Sequence, residues 1–204
     1  MARVGLTVER LTEAAAELAD EVGFENVTVA ALARRFGVKD ASLYAHLRNA
    51  ADLRTRIALL AVDEFAERVA AALAGRAGKD ALVAYADAYR AFARERPGLY
   101  GATQTRIDPP LPAPPPSYAR TVGMTYGMLR AYGLDEPDLT DAVRLLRSTF
   151  HGFTALEAGG GFAADREVRA SWERMVEALH VLLTHWPAAG GAAPTGAASP
   201  HRVT

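Results

Sequence analysis

Apolar residues recur at spacings of three and four along almost the whole chain, the period of a helix with one buried face. Val8, Leu11, Ala15, Leu18 and Val22 mark a first helix, with Thr7 placed to cap it and Gly23 to stop it. Thr28 opens a second, in which Val29, Leu32, Ala33 and Phe36 share a face before Gly37 ends it. Asp40 stands at or beside the cap of a third helix of about two turns, because Asn49 already caps a fourth. That fourth helix is expected from about Ala50 to Ala74, with Leu53, Ile57, Leu60, Phe65, Val69 and Leu73 available for burial. At about 1.5 Å per residue it reaches roughly 37 Å, enough to leave one globule and enter another.

Beyond the break "GRAGKD" at 75–80, helices are expected near 80–95, 99–105, 117–132, 137–158 and 165–185. The run "DPPLPAPPP" at 108–116 should be an extended loop. From Pro187 onward Ala, Gly, Pro, Ser and Thr follow without periodicity, as expected of a disordered tail. No strand pattern or internal repeat appears. The fold expected is therefore all-α: residues 1–50 as a three-helix head with a helix-turn-helix at about 29–48, residues 51–186 as a larger helical domain, and 187–204 as tail.

Composition narrows the class. The chain has 204 residues, half of them hydrophobic, and can bury a sizeable core. It contains no cysteine, which excludes disulfides and thiolate chemistry and suits the cytoplasm. Charges at Glu9, Arg10 and Glu13 interrupt the stretch where a signal peptide needs an apolar run, and no run is long enough to span a membrane. The net charge is −1, but it is unevenly placed. Residues 28–56 carry six cations (Arg34, Arg35, Lys39, Arg48, Arg54 and Arg56) against Asp40 and Asp52, a local excess of four. A confined positive field on a nearly neutral chain points to a confined anionic partner.

The third helix is too short to be a core element. Leu43 anchors it, Val38 and Leu47 are buried on the same side, and Ser42, Ala45 and His46 are left facing outward with Tyr44 at the edge. Ala33 is small where two helices approach, and Gly37 supplies the turn. A short helix with small, hydrogen-bonding outward groups fits a DNA major groove about 12 Å wide.

The stretch "TVAALARRFGVKDASLYAHLRNAADL" resembles the DNA-binding signature of TetR-type transcriptional regulators. Members share Thr at the second-helix cap, a Gly-Val turn, a Leu-Tyr pair in the recognition helix and a Leu early in helix four. The resemblance covers residues 7–56. Over 80–186 it rests on the helix count and a looser match that includes "FHGF". It implies that Thr28 and Tyr44 contact phosphates, that Lys39, Asp40, Ala41 and Ser42 begin the recognition helix near base edges, and that Ala45 and His46 finish it. The family often has a lysine at the start of helix four, where this chain has Ala50; Arg48 and Arg54 flank the position and can supply the charge. The partner implied is double-stranded DNA with a palindromic operator.

In the larger half, Tyr85, Tyr89 and Phe92 recur at helical spacing, and Tyr118, Val122, Tyr126 and Leu129 form a second stripe. Ordinary core accounts for such stripes. Seven tyrosines, however, bring hydroxyls that a dry core must satisfy, and aromatic walls with a few polar tips suit a small apolar effector. Tyr85, Tyr89, Phe92, Tyr100 and Tyr126, with Gln104, Arg130 and His151 as polar contacts, are the candidate pocket. Apolar faces on 137–158 (Ala142, Leu145, Leu146, Thr149, Phe150, Phe153) and 165–185 (Trp172, Met175, Val176, Leu179, Leu182, Leu183) are broad enough for both the domain and a two-fold partner. The resemblance implies a homodimer through them as well.

Catalytic and cofactor signals are absent. "EALH" at 177–180 has the Glu-x-x-His spacing of di-iron bundles, but no second pair accompanies it, and "GGG" at 159–161 lacks the Lys and Ser/Thr of a phosphate-binding loop. No metal, cofactor or catalytic residue is assigned. The function expected is a DNA-binding transcriptional regulator, a repressor by family habit, acting as a homodimer that responds to a small molecule. A constitutive regulator without an effector, and an enzyme on a vestigial helix-turn-helix, remain as alternatives.

Overall fold

The computed structural model describes residues 5–106, 113 and 115–187. Among them are nine α-helices and no strand: α1 (Val8–Val22), α2 (Val29–Phe36), α3 (Asp40–Leu43), α4 (Ala50–Leu73), α5 (Gly78–Glu95), α6 (Pro97–Gln104), α7 (Pro116–Arg130), α8 (Asp138–Ala158) and α9 (Val168–Thr184). The all-α expectation holds. Thr7, Thr28 and Asn49 each accept a hydrogen bond from the backbone N–H three residues on, at 3.3, 3.1 and 2.8 Å. Each such cap contributes about 1 kcal/mol and fixes where its helix begins. Gly37 ends α2 at φ +64°, where a side chain would be strained.

Three boundaries differ from expectation for identifiable reasons. The third helix is regular only over Asp40–Leu43, with Lys39 at the cap position making no side-chain cap. Tyr44–His46 continue as a tighter turn in which the Leu43 carbonyl accepts from the N–H groups of both His46 and Leu47, each at 2.9 Å. The chain must tighten there because Leu47 is buried three residues before α4 begins. Pro97 and Pro116 stand at the first position of α6 and α7, where the missing N–H costs nothing. The proline run thus ends inside a helix; residues 107–112 and 114 of that region, and 188–204 of the expected disordered tail, lie outside the described residues.

Two cores share one long helix. The first gathers α1, α2, α3 and the first half of α4 around Leu11, Leu32, Leu43, Leu53 and Ile57, and is completed from farther along the chain by Phe92, Leu99 and Ala102. The second is built by the end of α4 with α5, α7, α8 and α9, around Leu82, Leu129, Phe150 and Trp172. Phe65 of α4 packs on both. The division expected at residue 50 is therefore bridged, because α6 adds two of its own buried side chains to the head's core.

Within the second core Arg90 is 5 % exposed and forks onto Glu157, with Nε–Oε2 at 2.8 Å and Nη2–Oε1 at 2.5 Å, while its guanidinium stacks 5.6 Å from the Trp172 ring. The bidentate pair holds the Glu157 carboxyl below its ordinary range, chiefly through the hydrogen bonds from Arg90. The Trp172 indole N–H donates to Asp87 at 3.0 Å, joining α9 to α5.

Candidate functional site

The head presents its third helix as the sequence predicts. Leu43 and Leu47 are fully buried and hold the segment down. Lys39, Asp40, Ala41, Ser42, Tyr44, Ala45 and Arg48 are exposed, His46 is half-buried, and Tyr44 stands 53 % open to solvent. Thr28 caps α2 with its side chain still exposed. The outward surface is thus made of donors and small groups on a fixed scaffold, the chemistry that backbone and base-edge contacts require.

The local cations separate into two sets. Arg35 is bound to Glu21 at 2.7 Å and Glu17 at 2.8 Å on α1, Arg56 to Asp52 at 3.2 Å, and Arg54 to the Glu25 carbonyl at 3.0 Å and its carboxylate at 3.8 Å. These knit the head together and cancel part of the positive excess. Arg34, Lys39 and Arg48 form no ion pair among the described residues. Charge along the sequence indicated six candidate cations; the fold leaves half of them for an outside anion.

The second feature is a cavity of about 150 Å³, open to solvent at one side and bounded by α4, α5, α6, α7 and α8. Val62 and Phe65 of α4 and Tyr85 and Tyr89 of α5 form one wall; Tyr100, Thr103 and Gln104 of α6 form another. Tyr118, Thr121, Val122 and Thr125 of α7 and Val143, Leu146 and Arg147 of α8 complete it. Four of the eight expected pocket residues line it: Tyr85, Tyr89, Tyr100 and Gln104. The other four do not. Phe92 is wholly buried in the head's core, Tyr126 turns to Thr140 at 3.1 Å, Arg130 is exposed at the end of α7, and His151 lies on the surface, its Nδ1 2.6 Å from the Tyr100 hydroxyl. Helical spacing assigns a residue to a stripe but not to one of the two cores that the stripe meets.

Arg147, absent from the expected set, is the one charged side chain of the lining among the described residues. The available signal is its position one turn after Val143 and beside Leu146, a charge at the edge of an apolar face. The Tyr89 and Tyr100 hydroxyls lie 3.0 Å apart, and the Tyr85 hydroxyl lies 3.3 Å from Thr125 Oγ1. Burial pushes the Tyr85 and Tyr89 hydroxyls well up from their ordinary pKa, so both stay protonated at every pH the protein meets.

Helix α6 links cavity and head. Its inner side offers Tyr100, Thr103 and Gln104 to the cavity, and its first turn docks on α1. Asp20 Oδ1 accepts from the N–H groups of Gly98 at 2.9 Å and Leu99 at 3.1 Å, and Oδ2 takes Arg96 Nε at 2.5 Å. Arg96 also binds Glu64 of α4 at 2.7 Å. No sequence signal marked Asp20, Arg96 or Gly98, since their partners are remote in the chain.

Two family models match the chain: "Bacterial regulatory proteins, tetR family" over residues 11–57 and "Tetracyclin repressor-like, C-terminal domain" over residues 82–179. The uncharacterized HTH-type transcriptional regulator Rv0681 of Mycobacterium tuberculosis is 34 % identical over 194 residues, covering 93 % of this chain and 87 % of the relative. The chain belongs to the TetR family of bacterial transcriptional regulators. A second TetR-type relative, the uncharacterized regulator YobS of Bacillus subtilis, is 31 % identical over 177 residues, 83 % of this chain and 88 % of its own. Among solved structures, a TetR variant of Acinetobacter baumannii AYE in complex with minocycline covers 87 % of this chain and 96 % of its own at 24 % identity and a TM-score of 0.63. That likeness is one of fold. It carries the TetR arrangement of a helix-turn-helix head on a helical body, and in this chain α4, α5 and α6 each contribute side chains to both cores.

The two ends of "EALH" each meet a protein partner: Glu177 binds Lys79 Nζ at 2.6 Å, and His180 Nδ1 lies 3.0 Å from the Tyr132 hydroxyl. Among the described residues no helix is long and apolar enough to cross a membrane.

Proposed function

We propose that this TetR-family regulator is a ligand-responsive repressor of the cytoplasm that binds a palindromic operator as a homodimer. Each head lays the segment from Asp40 to Leu47 in a major groove. Thr28, Tyr44 and Arg48 hold phosphates there, and Lys39, Asp40, Ala41, Ser42, Ala45 and His46 lie near the bases. Half-sites are then about 34 to 36 Å apart, or a multiple of that distance. The observation that carries the ligand response is the double attachment of α6, which lines the cavity with Tyr100, Thr103 and Gln104 and is pinned to α1 through Asp20. A ligand that moves α6 must strain or break that attachment and re-aim the head. It acts only through its difference in affinity for the two arrangements. The complex of the structurally similar Acinetobacter protein with minocycline supports a small-molecule effector.

The dimer faces are narrower than the apolar stripes suggest. Trp172, Val176, Leu179 and Leu183 are consumed by the subunit's own core, as are Ala142, Leu146 and Phe150. Leu156, Phe162, Val181 and Leu182 remain exposed, and a partner's α8 and α9 would cover them.

Selection of bound fragments from random DNA, followed by mobility shift, tests the reading. The expected result is a two-fold symmetric consensus whose binding falls by about tenfold or more for Tyr44→Ala, the loss of roughly one good contact per head. Absence of a symmetric consensus, or undiminished binding by both Tyr44→Ala and His46→Ala, would remove this helix from the DNA interface.

A further inference from the structure

We propose that the cavity takes an apolar monocarboxylate, with its body among the tyrosine rings and its carboxylate on Arg147. The inference rests on the effector reading above and adds the chemical class of the effector.

The buried tyrosine hydroxyls Tyr89 and Tyr100 are already committed, whereas Tyr118, at the exposed rim, keeps its hydroxyl in solvent. A chain in which Tyr89 donates to Tyr100 and Tyr100 to His151 uses both phenolic protons, at 3.0 and 2.6 Å. Thr125 Oγ1 donates to the Thr121 carbonyl at 2.9 Å and lies 3.3 Å from the Tyr85 hydroxyl, which stands as its second acceptor. Tyr89 and Tyr100 thus present ring faces and edges to whatever fills the space, and the Tyr85 hydroxyl adds at most a neutral donor.

One corner is different. Thr103 donates to the Tyr100 carbonyl at 2.7 Å, the Gln104 amide nitrogen donates to Thr103 Oγ1 at 2.9 Å, and the Gln104 amide oxygen faces Arg147 Nη2 at 3.5 Å. This relay fixes the amide with its oxygen toward the guanidinium. What remains free is the second amide N–H of Gln104 and most of the five N–H groups of Arg147. The corner offers donors and one positive charge, and among the described residues no carboxylate lines the cavity. Arg147 forms no ion pair among the described residues, whereas its neighbour Arg144 is paired with Asp141 at 3.4 Å. A planar, singly charged acceptor matches a single guanidinium fork. A cation would meet Arg147 without a counter-charge, and a multiply charged anion would find one charge to meet it. Arg147 is exposed on its outer side, so the preference for the acid is moderated by solvent and expected at about one power of ten.

Calorimetric titration of the full-length protein with matched probes tests this: naphthalene-2-carboxylate, its primary amide and 2-naphthylmethylamine, and, to separate aromatic from aliphatic bodies, octanoate and octanamide. Each probe is also assayed for release of the selected operator. In at least one scaffold the acid should bind about tenfold tighter than the amide, and Arg147→Met should reduce that ratio to about twofold or less, with the loss falling mainly on the acid. Arg147→Lys should restore part of it. An amide equal to its acid, an amine tighter than both, or an acid preference that survives Arg147→Met would overturn the proposal. If the amide or amine binds and releases operator, the acid is wrong and the effector reading stands. If no probe binds, the acid is wrong; the effector reading falls with it only if Val122→Trp, which fills the cavity, also leaves operator affinity unchanged.

Discussion

Gly98 of α6 lies against the backbone of Ala19 of α1 so closely that a Cβ at Gly98 would stand 2.1 Å from the Ala19 carbonyl carbon and oxygen and 2.5 Å from the Asp20 nitrogen. Backbone on both sides leaves no flexible side chain to yield. Gly98→Ala should therefore separate α6 from α1, at a cost of about 1 to 3 kcal/mol or more for overpacking. Because the same contact joins cavity to head, operator affinity should fall together with stability. Chemical denaturation and mobility shift measure both, and Gly101→Ala is the control, since its nearest neighbour is 3.8 Å away. Equal behaviour of the two variants would mean that the close approach is not a constraint.

Leu43 and Tyr44 are adjacent in sequence and opposite in environment, 0 % and 53 % exposed. Leu43→Ala should destabilise the protein by about 2 to 5 kcal/mol through the cavity it leaves. Tyr44→Ala should leave stability within about 0.5 kcal/mol and weaken DNA binding. Thermal unfolding separates the two effects. A Tyr44→Ala variant that unfolds as early as Leu43→Ala would place the ring in the core and not at the DNA.

Much of this division was legible in the sequence. The caps at Thr7, Thr28 and Asn49, the stop at Gly37 and the alternation of anchor and outward face around Leu43 are local signals, decided within one or two turns by backbone hydrogen bonding and helical period. The cavity was half legible: the aromatic stripe on α5 identifies Tyr85 and Tyr89, but Phe92, on the same helix, packs under the head instead. What separates them is the crossing of α6 over α4 and α5, which depends on contacts remote in sequence. The same remoteness hid Asp20, whose partners stand 76 to 79 residues away, and overstates the free charge of the head, because Arg35 of α2 is paired with Glu17 and Glu21 of α1.

The Arg90–Glu157 pair predicts an acid-sensitive component of stability. The folded-state pKa of Glu157 is lowered, chiefly by its hydrogen bonds from Arg90. The pair's contribution is therefore complete above the unfolded carboxylate value of about 4.3 and is lost as pH falls through the lowered folded value. Glu157→Gln should lower stability at neutral pH by up to about 3 to 5 kcal/mol, the cost of removing one partner of a buried pair. The gap between wild type and variant should close as pH falls below about 4. Denaturant titrations at several pH values provide the measurement; a gap that does not change with pH would show that shape, not charge, is what the variant lost.

The cations of the head give the sharpest test of how DNA is held. Arg48 is exposed and forms no ion pair among the described residues, whereas Arg35 is anchored to Glu17 and Glu21 on α1. Each phosphate contact contributes about 0.9 to the slope of log affinity against log salt. A symmetric dimer loses two contacts for each substitution, so Arg48→Ala should flatten the slope by about 1.8. Arg35→Ala should leave the slope nearly unchanged and reduce stability only slightly, as expected for an exposed pair. Fluorescence anisotropy over a salt series on the selected operator reads the slopes directly. If Arg35→Ala flattened the slope as much as Arg48→Ala, the ion pairs on α1 would have to open when DNA binds, and the surface of the free head would not be the surface that meets the phosphates.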